Sequence, residues 1–294
     1  MWTARFLVLN SLRWPLRVPI KWAIFALTFL AVCFPYPGRL WRHIEHWSAP
    51  NALIEPEADA LRPLVDDLRR ILAPDLSPKK TLSEVQRFVQ DRITYAWDWN
   101  TWGMADYLPT VTETIEKGAE DCDGRAVVAA SLLRELGFEV EIVTDFAHVW
   151  VKTNHGETMG PGEAKAVVAT DAGLKIQPGA LARLPKALAY GIGPFPLVRE
   201  LIIVGVLWLL MLRSGGGVRC SLAGLMFMVS GLLFLKAGGR SYWHPQVWLQ
   251  IGGTVSLLSG VTAMLVWARY NVLRCERSAS AEIRDDLPVK DDDM

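Results

Sequence analysis

Four apolar runs constrain this chain more than any other feature: Ile20 to Tyr36, Leu197 to Leu212, Cys220 to Leu235 and Val247 to Ala268. About 20 apolar residues in a helix match the hydrocarbon core of a bilayer, so the chain reads as a membrane protein with one span before a polar middle and three after it. The first run just suffices if the Lys21 ammonium snorkels to the interface. No small-x-small cleavage site follows closely, which favours a retained anchor over a cleaved signal. Cys33, near its end, reads as a membrane-facing thiol. The next two runs are short, so their ends sit near the interface, with Tyr242, Trp243 and Trp248 as interfacial aromatics. No charged residue lies mid-span, which argues against a transport pathway.

Charge sets the orientation. With the N-terminus in the cytoplasm, four spans place Arg5, Arg13, Arg17, Lys21, Arg213, Arg219, Arg269, Arg274 and Arg277 on the inner side, as the positive-inside rule requires. The polar middle then lies outside the cytoplasm, in a multi-pass protein of the cell membrane. The expected order is a cytoplasmic N-terminus (1–19), span one (20–36), an extracytoplasmic domain (48–190), spans two to four (197–212, 220–235, 247–268) and an acidic cytoplasmic tail (269–294). The formal net charge of zero conceals an acidic middle: Ala49 to Tyr190 carries twenty-two Asp and Glu against fifteen Lys and Arg. Such a domain repels nucleic acid, which leaves the lipid bilayer and a peptide or protein substrate as expected partners.

Of four cysteines, Cys33, Cys220 and Cys275 lie in or beside apolar runs, and Cys122 stands alone in the polar middle. No CxxC or Cys/His cluster with zinc spacing occurs, so neither a structural metal nor a cofactor is expected. Cys122 lies in Lys117-Gly-Ala-Glu-Asp-Cys-Asp-Gly-Arg-Ala126, where a loop runs into an apolar helix. A thiol there faces unpaired backbone N–H groups and the positive end of the helix dipole, both of which favour the thiolate. Glu120, Asp121 and Asp123 oppose this, and Arg125 only partly offsets them.

Around that junction the pattern is mixed. Leu61, Leu64, Val65, Leu68, Ile71 and Leu72 mark one face of an amphipathic helix ended by Pro74. A second helix is expected to open at the capping box Thr81-Leu-Ser-Glu84 and to bury Val85, Phe88, Val89 and Ile93. In the following loop Tyr95 reads as core, and Trp97 and Trp99 as candidate groove walls. After Cys122, Ala126 to Leu136 form a buried helix stopped by Gly137. Phe138 to Thr144 and Ala147 to Lys152 read as strands, Asn154-His155-Gly156 as a hairpin turn, and Ala166 to Thr170 as a further strand ending at Asp171. The soluble part is therefore α+β, with helices first and an antiparallel sheet after them.

A cysteine at a helix start followed 26 residues later by a strand histidine resembles the transglutaminase-like (papain-like) cysteine enzymes. Val89-Gln-Asp-Arg-Ile-Thr-Tyr95 is similar to that family's helix before the catalytic loop, and Gly118 to Ala126 to its nucleophile motif. Leu132-Leu-Arg-Glu-Leu-Gly137 and His148-Val-Trp-Val151 match its next two blocks. The resemblance spans about Leu82 to Asp171. It implies Cys122 as nucleophile, His148 as acid and base, and amide chemistry through a thioester. It also implies an aspartate on the strand after the histidine, but Met159-Gly160-Pro161 stands there. Glu157 faces about Thr153 and lies roughly 17 Å from His148 along the strand, too far to orient it. Asp171 is the favoured third member, with Glu163 or no third member as the alternatives.

Overall fold

The computed structural model describes residues 12–144, 148–160, 167–170, 173–176, 184–212, 218–239 and 246–285. It mixes helix and sheet in two units, Leu30–Ala187 and a second made of Met1–Phe29 with Leu188–Met294.

In the first unit the helices are α2 (Pro37–Ser48), α3 (Arg62–Ile71), α4 (Pro78–Arg92), α5 (Asp98–Thr101), α6 (Val111–Lys117) and α7 (Cys122–Glu135). The strands are β1 (Thr94–Tyr95), β2 (Ala119–Glu120), β3 (Val140–Thr144), β4 (Val149–Thr153), β5 (Gly156–Thr158), β6 (Val167–Thr170) and β7 (Gly173–Ile176). β1 and β2 pair in parallel, and the other five form an antiparallel sheet in the order β5-β4-β3-β6-β7. α7 packs on β3 and β4 because its apolar residues surround it: Ala126 to Ala130, Leu132 and Leu133 are fully buried with Ile142, Val149 and Val151. Each such Leu or Ile contributes about 1.5–3 kcal/mol through burial. Gly137 closes the helix with φ +86°, and the Phe138 N–H returns to the Leu133 carbonyl at 3.0 Å, the six-to-one bond of a Schellman ending.

Several local expectations need correction. The α4 N-cap is Ser77, and Thr81 is a buried interior residue, because Pro78 sets φ for the first helical position and starts the helix four residues early. The capping box belongs to α6: Thr110 and Glu113 satisfy each other's backbone N–H. The first amphipathic stretch begins as a 3-10 turn (Asp59–Leu61) before α3. α2 packs within the first unit: the Leu108 N–H donates to His43 Nδ1 at 3.1 Å, and His46 Nδ1 bonds the Leu108 carbonyl at 2.6 Å. Cys33 is buried, with its carbonyl accepting the Ala105 N–H at 2.8 Å, so it does not face lipid.

In the second unit, α1 (Trp14–Cys33, of which residues up to Phe29 belong here) is joined by α9 (Leu197–Met211), α10 (Val218–Gly238) and α11 (Val247–Asp285); α8 (Leu184–Ile192) precedes them. Three stretches are long and apolar enough to cross a membrane: Pro15–Cys33, Val218–Gly238 and Val247–Trp267. At 15 residues and 1.5 Å per residue, α9 is about 22 Å long, short of a bilayer core. The Lys21 ammonium bonds the Leu210 carbonyl at 2.5 Å instead of snorkelling. α10 and α11 form a tight hairpin over Gly224, Gly231 and Gly238 on one side and Gly253 and Gly260 on the other. A Cβ on Gly231 would lie 2.5 Å from the Leu257 nitrogen, so only glycine lets the backbones approach this closely. Trp22, Met226, Trp248 and Leu258 remain exposed on these helices, apolar faces suited to lipid. α11 continues to Asp285, so the stretch expected as an acidic tail begins as helix.

Candidate functional site

The site is assembled by short elements. β1 holds β2 through the Thr94 N–H to the Gly118 carbonyl (3.0 Å) and the Ala96 N–H to the Glu120 carbonyl (3.2 Å). Gly118 can end α6 because it adopts φ +63°, a left-handed conformation open to glycine. Asp121 then caps α7, its Oδ1 accepting the Asp123 N–H at 3.1 Å. Cys122 is thereby fixed as the first residue of the helix, beside the start of β4, where the Val149 N–H lies close enough to favour its thiolate. His148, half-buried, is the residue before Val149. Cys122 and the backbone that follows His148 therefore lie at one corner of the unit.

Electrostatics at that corner oppose the helix dipole. The Cys122 thiol is pushed well above its ordinary value, first by burial, then by Asp121 and Asp123, with the Val149 N–H the one effect in the opposite direction before a hydrogen bond to Asp123 raises it again. The S–H donates to Asp123 Oδ1 at 3.2 Å. Arg125 gives the thiol little relief: its guanidinium donates to the Ile93 carbonyl, lies over the Tyr95 ring at 5.1 Å, and makes no ion pair with the acids among the described residues. Burial and the two acids together favour the protonated thiol.

The acids extend behind the loop. Asp98, the first residue of α5, accepts the Tyr107 N–H at 2.6 Å, and Glu120 accepts the Trp102 indole N–H at 2.8 Å. Burial, offset by hydrogen bonds, pushes Glu120 up to about 7, and burial with the charge of Glu120 pushes Asp121 up to about 8. Asp98 and Asp123 are raised further in the same direction and for the same leading reason. None of the four was singled out as a site residue beyond the electrostatics of the helix start. Asp98 gave no signal because it lies 24 residues before the thiol in an aromatic loop.

Among the aromatics, Trp102 and Tyr107 are the buried ones, with ring centroids 4.8 Å apart. Tyr95, expected in the core, is 43% exposed and packs edge-on against Trp97, because β1 is a two-residue bridge whose residues are both exposed.

The hairpin register excludes Glu157: it pairs with Lys152, four residues along from His148, or about 13 Å. Continuing the same register places Gly160 opposite Val149. Asp171 and Glu163 lie outside the described residues. β6, which leads toward Asp171, pairs with β3, and β3 stands between it and β4. Searches against family models and against curated proteins found no match.

Proposed function

We propose that this chain is a membrane-anchored, transglutaminase-like thiol enzyme that acts on an amide bond of a peptide-like substrate. The observation that carries the reading is the seating of Cys122 as the first residue of α7, beside Val149 at the start of β4, the residue that follows His148. In the reaction His148 takes the thiol proton and the sulfur attacks the carbonyl carbon. The tetrahedral intermediate collapses as the imidazolium protonates the departing amine, the C–N bond breaks, and a thioester remains. Water, activated by His148, releases the acid and restores the thiol. The Cys122 backbone N–H supplies one oxyanion donor. Asp171 is proposed to orient His148, with Glu163 as its alternative. With α9, its ends drawn into the interface, counted beside the three longer stretches, four crossings are proposed to leave this unit outside the cytoplasm of the cell membrane.

A second reading is a binding or assembly module of the same fold without turnover, favoured by the burial and acids that bias the thiol toward its protonated form. An electrophilic amide-directed probe separates the two. Under the enzyme reading Cys122 is labelled in the wild type and labelling falls at least tenfold in His148→Ala; equal, slow labelling of both proteins favours the module.

A further inference from the structure

Large apolar side chains left exposed in the first unit gather at its beginning. Among its described residues they are Leu30, Tyr36, Trp41, Ile44, Ile71 and Tyr95, so four of the six fall between Leu30 and Ile44. A single exposed leucine or isoleucine is ordinary on a soluble surface, whereas a group of them marks a surface that something covers. α2 already has an inner side: it buries His43, packs Leu40 against Trp102, Met104 and Tyr107, and packs Trp47 against the main core. Trp41 and Ile44, three residues apart and so on one stripe of the helix, are not part of that side and are 65% and 52% exposed. The Trp41 indole N–H is taken by Glu45 Oε1 at 2.7 Å. What the stripe turns outward is therefore the apolar part of the ring.

The place of this stripe in the chain identifies what covers it. The apolar stretch Pro15–Cys33 ends with α1, and α2 begins at Pro37. Four residues reach at most about 14 Å, so the start of α2 is held near the level at which a crossing by α1 ends. The headgroup layer on each side of a bilayer is roughly 5–8 Å deep. Tryptophan and tyrosine settle at that level, and amphipathic helices lie in it with their apolar face toward the acyl chains. We propose that α2 is an interfacial helix whose Tyr36, Trp41 and Ile44 rest in the lipid headgroup layer of the membrane that α1 crosses. Its remaining contacts fix it to the unit that carries Cys122: Arg39 donates to the Trp102 carbonyl at 2.8 Å, and Arg42 pairs with Glu113 at 3.0 Å. That unit is then held down on the lipid surface at α2 and not merely tethered to it. The proposal rests on α1 being a crossing and is independent of turnover at Cys122.

The test uses the full-length protein in phosphatidylcholine nanodiscs with the photo-crosslinker p-benzoylphenylalanine at one position, read after irradiation by intact-mass spectrometry. Trp41→p-benzoylphenylalanine and Ile44→p-benzoylphenylalanine should each gain the mass of one phosphatidylcholine. The yield should approach that of Leu27→p-benzoylphenylalanine, at an exposed position within α1, and exceed at least fivefold that of Ile71→p-benzoylphenylalanine, at an exposed apolar position on α3. Lipid adducts at residue 27 but not at 41 and 44 would overturn the proposal while leaving α1 as a crossing. Crosslinks from 41 and 44 to a second copy of the chain in place of lipid, or lipid adducts there as weak as at 71, would overturn it as well. No lipid adduct at any of the four positions would remove the crossing and the proposal together.

Discussion

Gly124→Ala is expected to destabilise the soluble unit by about 3 kcal/mol and to displace the thiol. A Cβ on Gly124 would sit 2.4 Å from Glu120 Cγ, 2.5 Å from Thr114 Oγ1 and 2.9 Å from Pro109 Cγ, distances at which something must move. None of the three yields easily. Glu120 is anchored by the Trp102 indole, Thr114 Oγ1 donates to the Thr110 carbonyl at 2.9 Å, and the proline ring is rigid. Overpacking in a well-filled interior costs roughly 1–3 kcal/mol, and more where backbone must shift. Because the obstruction lies beneath the first turn of α7, the helix start that carries Cys122 moves with it. Denaturant unfolding gives the cost, and the rate of Cys122 alkylation reports the displacement. Thr114→Ala in the same chain should recover part of the loss. A cost under 1 kcal/mol with unchanged alkylation would mean that the turn is looser than these distances imply.

Stability is expected to fall as pH rises from about 4.5 to about 8. Glu120 is raised from 4.5 to about 7 and Asp121 from 3.8 to about 8, burial being the first cause of each. In the unfolded chain both ionise near their ordinary values. Across that window the folded state binds more protons than the unfolded one, so each further unit of pH favours unfolding. The stabilisation is complete below about 4 and is lost as pH passes through 7 and 8. For Glu120 alone the rise corresponds to about 3 kcal/mol, and Asp121 does not simply add to it because the two groups act on each other. Urea titrations at pH 5 and pH 8 measure the effect, and Glu120→Gln should flatten the profile. A unit more stable at pH 8 than at pH 5 would show that these carboxyls are ionised throughout.

The parts of the fold that could be read in the sequence are those in which periodicity and burial agree. α7, β3 and β4 announced themselves because a buried helix and alternating strands leave strong one-dimensional patterns, and the Gly137 stop and the Asn154 to Gly156 turn followed from φ requirements. Apolar length marks three of the four runs as helices long enough to span, and α9, read as a short run, forms a helix of 15 residues. The capping box was sought at Thr81 to Glu84 and formed at Thr110 to Glu113, since Pro78 had already begun the earlier helix. At the site, Cys122 and the neighbourhood of His148 were legible from helix-start chemistry and strand order. Asp98 was not, because its burial comes from a tertiary fold-back that sets the start of α5 beside β2 and Tyr107. Nor could local sequence weigh burial and two acids against the helix dipole at the thiol. In the folded chain the acids prevail.

The proposed chemistry stands or falls on a covalent intermediate at one sulfur. The direct measurement is intact-mass spectrometry of the full-length protein incubated with an activated acyl donor, such as a peptide thiophenyl ester, and quenched in acid. The account predicts a single added acyl group located on Cys122, removed by hydroxylamine, absent in Cys122→Ala and formed at least tenfold more slowly in His148→Ala. Acylation elsewhere on the chain, or on Cys122 at the same rate with and without His148, would contradict it.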